Sequence, residues 1–158
     1  MNINIICIGK LKEKYWREAI DEYVKRLGPY CSIRITELKE VPLPRNASAA
    51  DEAKVIEKEG EAILAQIRDG DYAVALEVEG KLLSSEELAL EVKAAAMKGA
   101  AVDFIIGGSL GLSAAVQRRA NLGMSMGRIT LPHQLARVVL IEQIYRAFKI
   151  NAGETYHK

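Results

Sequence analysis

Short apolar runs alternate with helix-spaced segments along the whole chain, and this alternation restricts the fold more than any single motif. NINIICIG near the start is a short apolar run suited to a buried strand. In EKYWREAIDEYVKRL, Trp16, Ile20, Tyr23, Val24 and Leu27 recur at helical spacing, and Gly28-Pro29 ends the segment. SIRITEL sets Ile33, Ile35 and Leu38 against polar neighbours, as a strand with one wetter face does. VPLPRNAS is a loop, and Ser48 or Asn46 caps the polar helix after it, expected to reach about Ile67. YAVALEV is a further strand. SSEELALEVKAAAMKG opens with a capping box from Ser84 to Glu87 and closes on Gly99. After DFII come a glycine-rich turn, a short helix, MSMGRITLP as a short strand and loop, and the long helix HQLARVVLIEQIYRAFKI. Strands alternating with helices predict an α/β fold, a mostly parallel sheet with helices on both faces. The 158 residues fit one domain, 1–158.

Charge is uneven although the net value is only +1. Residues 37 to 91 carry six Lys/Arg against 14 Asp/Glu, whereas residues 117 to 158 carry seven against two, and residues 1 to 36 carry seven against four. Basic ends around an acidic middle permit an anionic partner such as RNA, although charged helix faces alone would give the same count. No apolar run approaches the roughly 20 residues needed to cross a bilayer, and the start lacks the pattern of a secretion signal. Cys7 and Cys31 sit in apolar runs without Cys or His neighbours. They read as buried reduced thiols, which suits the cytoplasm.

In a parallel sheet, ligands bind beyond the carboxyl ends of the strands. Three segments compete for that edge: EVEGK after YAVAL, GGSLG after DFII, and MSMGRITLPH. The glycines of GGSLG imply that something approaches that backbone closely, or that the turn is simply tight. The segment matches neither GxxxxGK[ST] nor GxGxxG, which weakens a phosphate reading. Nucleophilic hydrolysis has only His133 and His157 as bases and no GxSxG elbow. No His/Cys/Asp/Glu spacing fits a metal.

GKLKEKYW, RLGPY, LEVEGKLLSSEELA, FIIGGSLGL, LPHQLARVVLIEQIYRAFKI and GETYHK, in this order over essentially the whole chain, resemble the RlmH (YbeA-like) family of SPOUT methyltransferases. The resemblance implies an S-adenosylmethionine-dependent enzyme that methylates N3 of a pseudouridine in 23S rRNA, on the assembled ribosome. It also implies a C-terminal trefoil knot, which ordinary topology rules would not propose, and a homodimer. Leu76, Gly107 and the run Met126, Gly127, Arg128, Ile129, Thr130 and Leu131 are then expected to surround the cofactor, with Met126, Ile129 and Leu131 as apolar walls. Tyr156, His157 and Arg137 are the expected catalytic side. Tyr156 would stack on an extruded base, and Arg137 or Arg128 would hold RNA phosphate. A membrane or DNA partner is not expected. Val138 to Ile141, four apolar residues in succession, predict a helix covered all round, partly by a second copy. Two rivals remain at this level, a ribosome-binding factor without catalysis and a flavodoxin-like nucleotide-phosphate domain.

Overall fold

A computed structural model describes all residues, 1–158. The elements run β1 (Asn2–Ile8), α1 (Lys14–Leu27), β2 (Ser32–Leu38), α2 (Ala49–Leu64), β3 (Tyr72–Leu82), α3 (Ser85–Met97), β4 (Val102–Ile106), α4 (Ala114–Arg119), β5 (Leu122–Ser125) and α5 (His133–Asn151). The five strands form one parallel sheet in the order β2-β1-β4-β3-β5. Period-two alternation along each strand divides the core. Ile3, Ile5, Cys7, Phe104 and Ile106 pack towards Leu27, Leu88, Leu140 and Ile144 of α1, α3 and α5. Ile6, Ile8, Ala73 and Ile105 pack towards Ile63 and Val116 of α2 and α4. Helices therefore cover both faces, as the alternation predicts.

Local chemistry sets the helix starts. Ser48 accepts a hydrogen bond from Asp51 N while Asp51 reaches back to Ser48, and Ser84 and Glu87 make the same reciprocal pair. The helix expected to reach Ile67 stops at Leu64, where Gln66 N and Ile67 N turn to carbonyls three residues back. The last strand is Leu122–Ser125, so Met126 to Leu131 is loop. Both cysteines are free and buried, and burial pushes each thiol up to about 11.

One polar pair crosses the α2/α4 face. Asp103 is fully buried, accepts from Asn4 Nδ2 at 2.5 Å, and leaves Oδ2 without a protein partner. Desolvation raises its pKa, against the Asn4 hydrogen bond and with neighbouring Asp71 adding to the rise. The unfolded chain therefore releases this proton first, and stability falls as pH rises from the ordinary Asp range through the raised native value. Asp103→Asn keeps an acceptor for Asn4 and removes the buried charge. It is expected to raise stability at pH 7 by on the order of 1 kcal/mol, checked by urea unfolding at pH 7 and at acid pH. Equal destabilisation at both would contradict this.

Candidate functional site

The carboxyl ends of β4, β3 and β5 enclose a cavity of about 450 Å³. The three competing segments meet there: Glu77, Val78 and Glu79 from the first, Gly107, Gly108, Ser109 and Gly111 from the second, and Met124 to Gly127 with Ile129, Thr130, Leu131 and His133 from the third. β3 supplies its share by leaving the ladder. Met124 pairs with Leu76 and again with Lys81, so residues 77 to 80 bulge out between them. A Cβ on Gly80 would sit 2.7 Å from the Met124 backbone, which is how closely the bulge returns to β5.

What approaches the glycine turn is the protein itself. A Cβ on Gly107 would lie 2.9 Å from Leu112 Cδ2 and 3.0 Å from Gly111 O. One on Gly108 would lie 2.6 Å from Glu59 Oε2. Glu59 is a buried residue of α2 whose other oxygen accepts from Val41 N at 3.0 Å. The turn is closed by its own packing and buttressed by a buried carboxylate. Its inner backbone is left facing the cavity.

The lining contains apolar walls (Leu76, Ile106, Leu112, Met124, Met126 and Leu131), two carboxylates (Glu77 and Glu79), and no Lys or Arg. Of the residues expected around a cofactor, Leu76, Gly107, Met126, Gly127, Ile129, Thr130 and Leu131 line this cavity. Two expectations change. Arg128 is exposed and does not line the cavity. Ile129 is 84 % exposed, so it forms part of the rim and not a covered wall. Glu77, Glu79, Gln117 and His133 also line the cavity, although none was expected to contact the cofactor. The acidic pair was visible in EVEGK, and the bulge brings both residues to the edge of the cavity, with the Glu77 carboxylate against Gly123.

The expected catalytic residues stand apart from this lining. Arg137 is 4 % exposed and cannot reach an RNA phosphate. Its Nη2 donates to Ile8 O at 2.7 Å and Gly9 O at 2.9 Å, and its Nη1 pairs with Glu37 at 3.1 Å. It fastens the end of β1 to α5. The tail is docked, not frayed. Tyr156 meets Tyr145 edge-on at 4.9 Å, carries the Arg146 guanidinium 4.8 Å over its ring, and donates to Glu142 at 3.1 Å. Desolvation first, then Glu142, pushes the Tyr156 hydroxyl up to about 12. Both ring nitrogens of His157 are engaged, Nε2 with Glu86 at 2.6 Å and Nδ1 with Arg146 at 3.3 Å. The Glu86 carboxyl is held down to about 2, chiefly by its own backbone N–H, then by Ser84 and His157. On α5 only Leu140 and Ile141 of the four successive apolar residues are fully buried, while Val138 and Val139 are half-buried.

A parallel α/β sheet with a cavity at its carboxyl edge, lined by apolar and acidic residues without Lys or Arg, has the build of a small-molecule-binding α/β protein. The family described as "Predicted SPOUT methyltransferase" matches residues 1–157, and the chain belongs to that family. A Clostridium novyi (strain NT) protein named ribosomal RNA large subunit methyltransferase H is 55% identical over 159 residues, spanning 100% of both chains. A protein of the same name from Bifidobacterium animalis subsp. lactis (strain AD011) is 52% identical with the same coverage. Among solved structures, a methylase family protein from Haemophilus influenzae Rd KW20 superposes with a TM-score of 0.56 at 14% identity, covering 99% of this chain and 70% of that one. One from Neisseria gonorrhoeae gives 0.55 at 18%, covering 99% and 86%. These two likenesses concern the fold. The family implies a methyl donor of the S-adenosylmethionine type. The trefoil knot is a family trait that strand order by itself does not display. No helix is long and apolar enough to cross a membrane.

Proposed function

We propose that this protein transfers a methyl group from S-adenosylmethionine to N3 of a pseudouridine in 23S rRNA, acting as a single-domain, cytoplasmic homodimer on the assembled ribosome. The names of the full-length relatives support the rRNA substrate. The observation that carries the donor is the charge of the cavity: two carboxylates and no Lys or Arg suit a cationic ligand and repel a phosphate. The apolar walls and open backbone of the Gly107 turn suit a nucleoside with an amino-acid arm. Leu76, Met126 and Leu131 would hold its apolar surface, and Glu77 and Glu79 would face its positive end.

The donor supplies an electrophilic methyl on a sulfonium, which leaves as a neutral thioether. The N3–H of the base must be lost, so a base or a group that stabilises the deprotonated imide is required. His157, occupied at both nitrogens, suits positioning of RNA better than proton transfer. The half-buried Val138 and Val139, with Ile129 and Val78 exposed at the cavity rim, favour a second copy as cover.

Calorimetry tests the donor. S-adenosylmethionine is expected to bind and a nucleoside monophosphate is not. Glu77→Gln with Glu79→Gln is expected to weaken S-adenosylmethionine about fivefold more than the neutral product thioether, about 1 kcal/mol of Coulomb attraction. Binding of the monophosphate without the sulfonium compound would reverse the assignment. Transfer of labelled methyl to ribosomes tests the acceptor.

A further inference from the structure

We propose that the loop between β1 and α1, through Lys10 and Lys12, is the strip that holds RNA phosphates beside the cofactor cavity. The inference rests on the rRNA methyltransferase reading and adds to it where on this chain the RNA backbone lies. The cavity lining contains Glu77 and Glu79 and no Lys or Arg, so RNA presented to the cavity must be held by cations outside it. The carboxyl edge of the sheet limits where those cations can be. β1 is the direct neighbour of β4, with Cys7 opposite Ile106, and Ile106 opens into the cavity-lining turn. Ile8, the last residue of β1, lies against that turn, its Cγ2 3.3 Å from where a Cβ on Gly108 would sit, so the loop that follows β1 starts at the edge of the turn.

The loop is built to present its lysines. Gly9 N donates to Leu38 O at 2.8 Å, and Arg137 holds the carbonyls of Ile8 and Gly9. Leu11 is buried, and its N–H donates to Glu37 at 2.9 Å, the same carboxylate oxygen that pairs with Arg137. With residues 9 and 11 fixed inward, Lys10 and Lys12 point into solvent, and neither makes an ion pair. Lys14, by contrast, pairs with Glu18 at 3.4 Å. Immobilising the backbone in advance lowers the entropy lost when phosphates are bound. The buried Arg137 thus acts on RNA at one remove, as the residue that positions the loop. On the far side of the cavity the exposed Arg128 follows β5, which is separated from β1 by β4 and β3, so cations flank the cavity on both sides.

The test uses the full chain and purified ribosomal large subunits, measuring binding across a salt series and methyl transfer in parallel. Lys10→Gln with Lys12→Gln should flatten the slope of log affinity against log salt by about 1.4, or 0.7 per lost single-strand phosphate contact, and weaken binding on the order of tenfold at 0.1 M salt. Its S-adenosylmethionine affinity and thermal midpoint should match the unaltered chain. Lys93→Gln with Lys98→Gln, the same charge change on exposed sites of α3 and its cap, should leave the slope unchanged. An unchanged slope in the loop variant overturns the proposal, as does an equal flattening in the α3 variant, which would mean net charge alone. Loss of affinity at constant slope also overturns it, since the contact would not be with phosphate. Salt-dependent binding that follows the loop lysines without methyl transfer by the unaltered chain would leave this surface standing and remove the catalytic reading.

Discussion

Deleting Tyr156 to Lys158 is expected to reduce methyl transfer to ribosomes by at least about 100-fold, equivalent to about 2.7 kcal/mol, and to destabilise the protein by about 2 kcal/mol. A terminal polar tripeptide ordinarily contributes little to a core, and from its sequence the loss of stability would be expected to be close to nil. The docked tail changes that. The deletion removes an edge-on aromatic contact, a guanidinium–ring contact and the hydrogen bond to Glu142, contributions of about 0.5 to 1.5 kcal/mol each. Glu142 keeps Arg146 and Gln143 as partners, so no buried charge is stranded and the loss stays moderate. S-adenosylmethionine affinity should be nearly unchanged, because no tail residue lines the cavity. Urea unfolding, calorimetry and transfer assays separate the three effects. His157→Ala divides the roles of the tail: positioning predicts weaker ribosome affinity with an unaltered pH profile, whereas a base predicts loss of an ionisation from that profile. Mixing tail-deleted chains with chains impaired in the cavity should restore activity if the tail serves the partner's cavity. Full activity of the deleted chain would exclude the tail from the reaction.

The parts legible from sequence are those fixed by neighbouring residues. Both capping boxes follow from residues three apart, and the strand–helix alternation carries its own period. The three segments at the sheet edge could also be named, because strands that are parallel must all end there. What escaped depends on distant partners. Arg137 looks like a surface cation on a basic helix, and only a fold that brings Ile8, Gly9 and Glu37 around it, 100 or more positions away, makes it a buried fastener. The bulge at residues 77 to 80 is hidden because YAVALEVEGKL reads as unbroken strand, and the departure is imposed by β5 pairing twice at Met124. Tyr156 and His157 gain their partners from α5 and α3, which a terminal tripeptide cannot announce. The glycine-rich turn is intermediate. Close approach to its backbone was legible, but the approaching groups are Leu112, Gly111 and Glu59 and not a ligand alone.

That difference changes what Gly107→Val should do. If only a ligand excluded a side chain at position 107, the variant would fold normally and lose binding alone. A Cβ there meets the flexible end of Leu112 at 2.9 Å and the carbonyl of Gly111 at 3.0 Å. The leucine tip can turn away, but the carbonyl moves only if the turn opens. Valine adds two methyl groups to that conflict, and overpacking of this kind costs about 1 to 3 kcal/mol. The variant should therefore be measurably less stable, and its S-adenosylmethionine affinity should fall by at least about 100-fold, about 2.7 kcal/mol, because the displaced backbone faces the cavity. Adding Leu112→Ala makes room for one of the two contacts and should recover part of the stability. It should not recover affinity, since the Gly111 carbonyl stays displaced. Gly108→Ala supplies the contrast: its Cβ meets Glu59 Oε2 at 2.6 Å, so Glu59→Ala should relieve that conflict. Calorimetry and thermal unfolding of these four variants read the outcome. Unchanged affinity in a folded Gly107→Val protein would remove the turn from the cofactor site, whatever happened to stability.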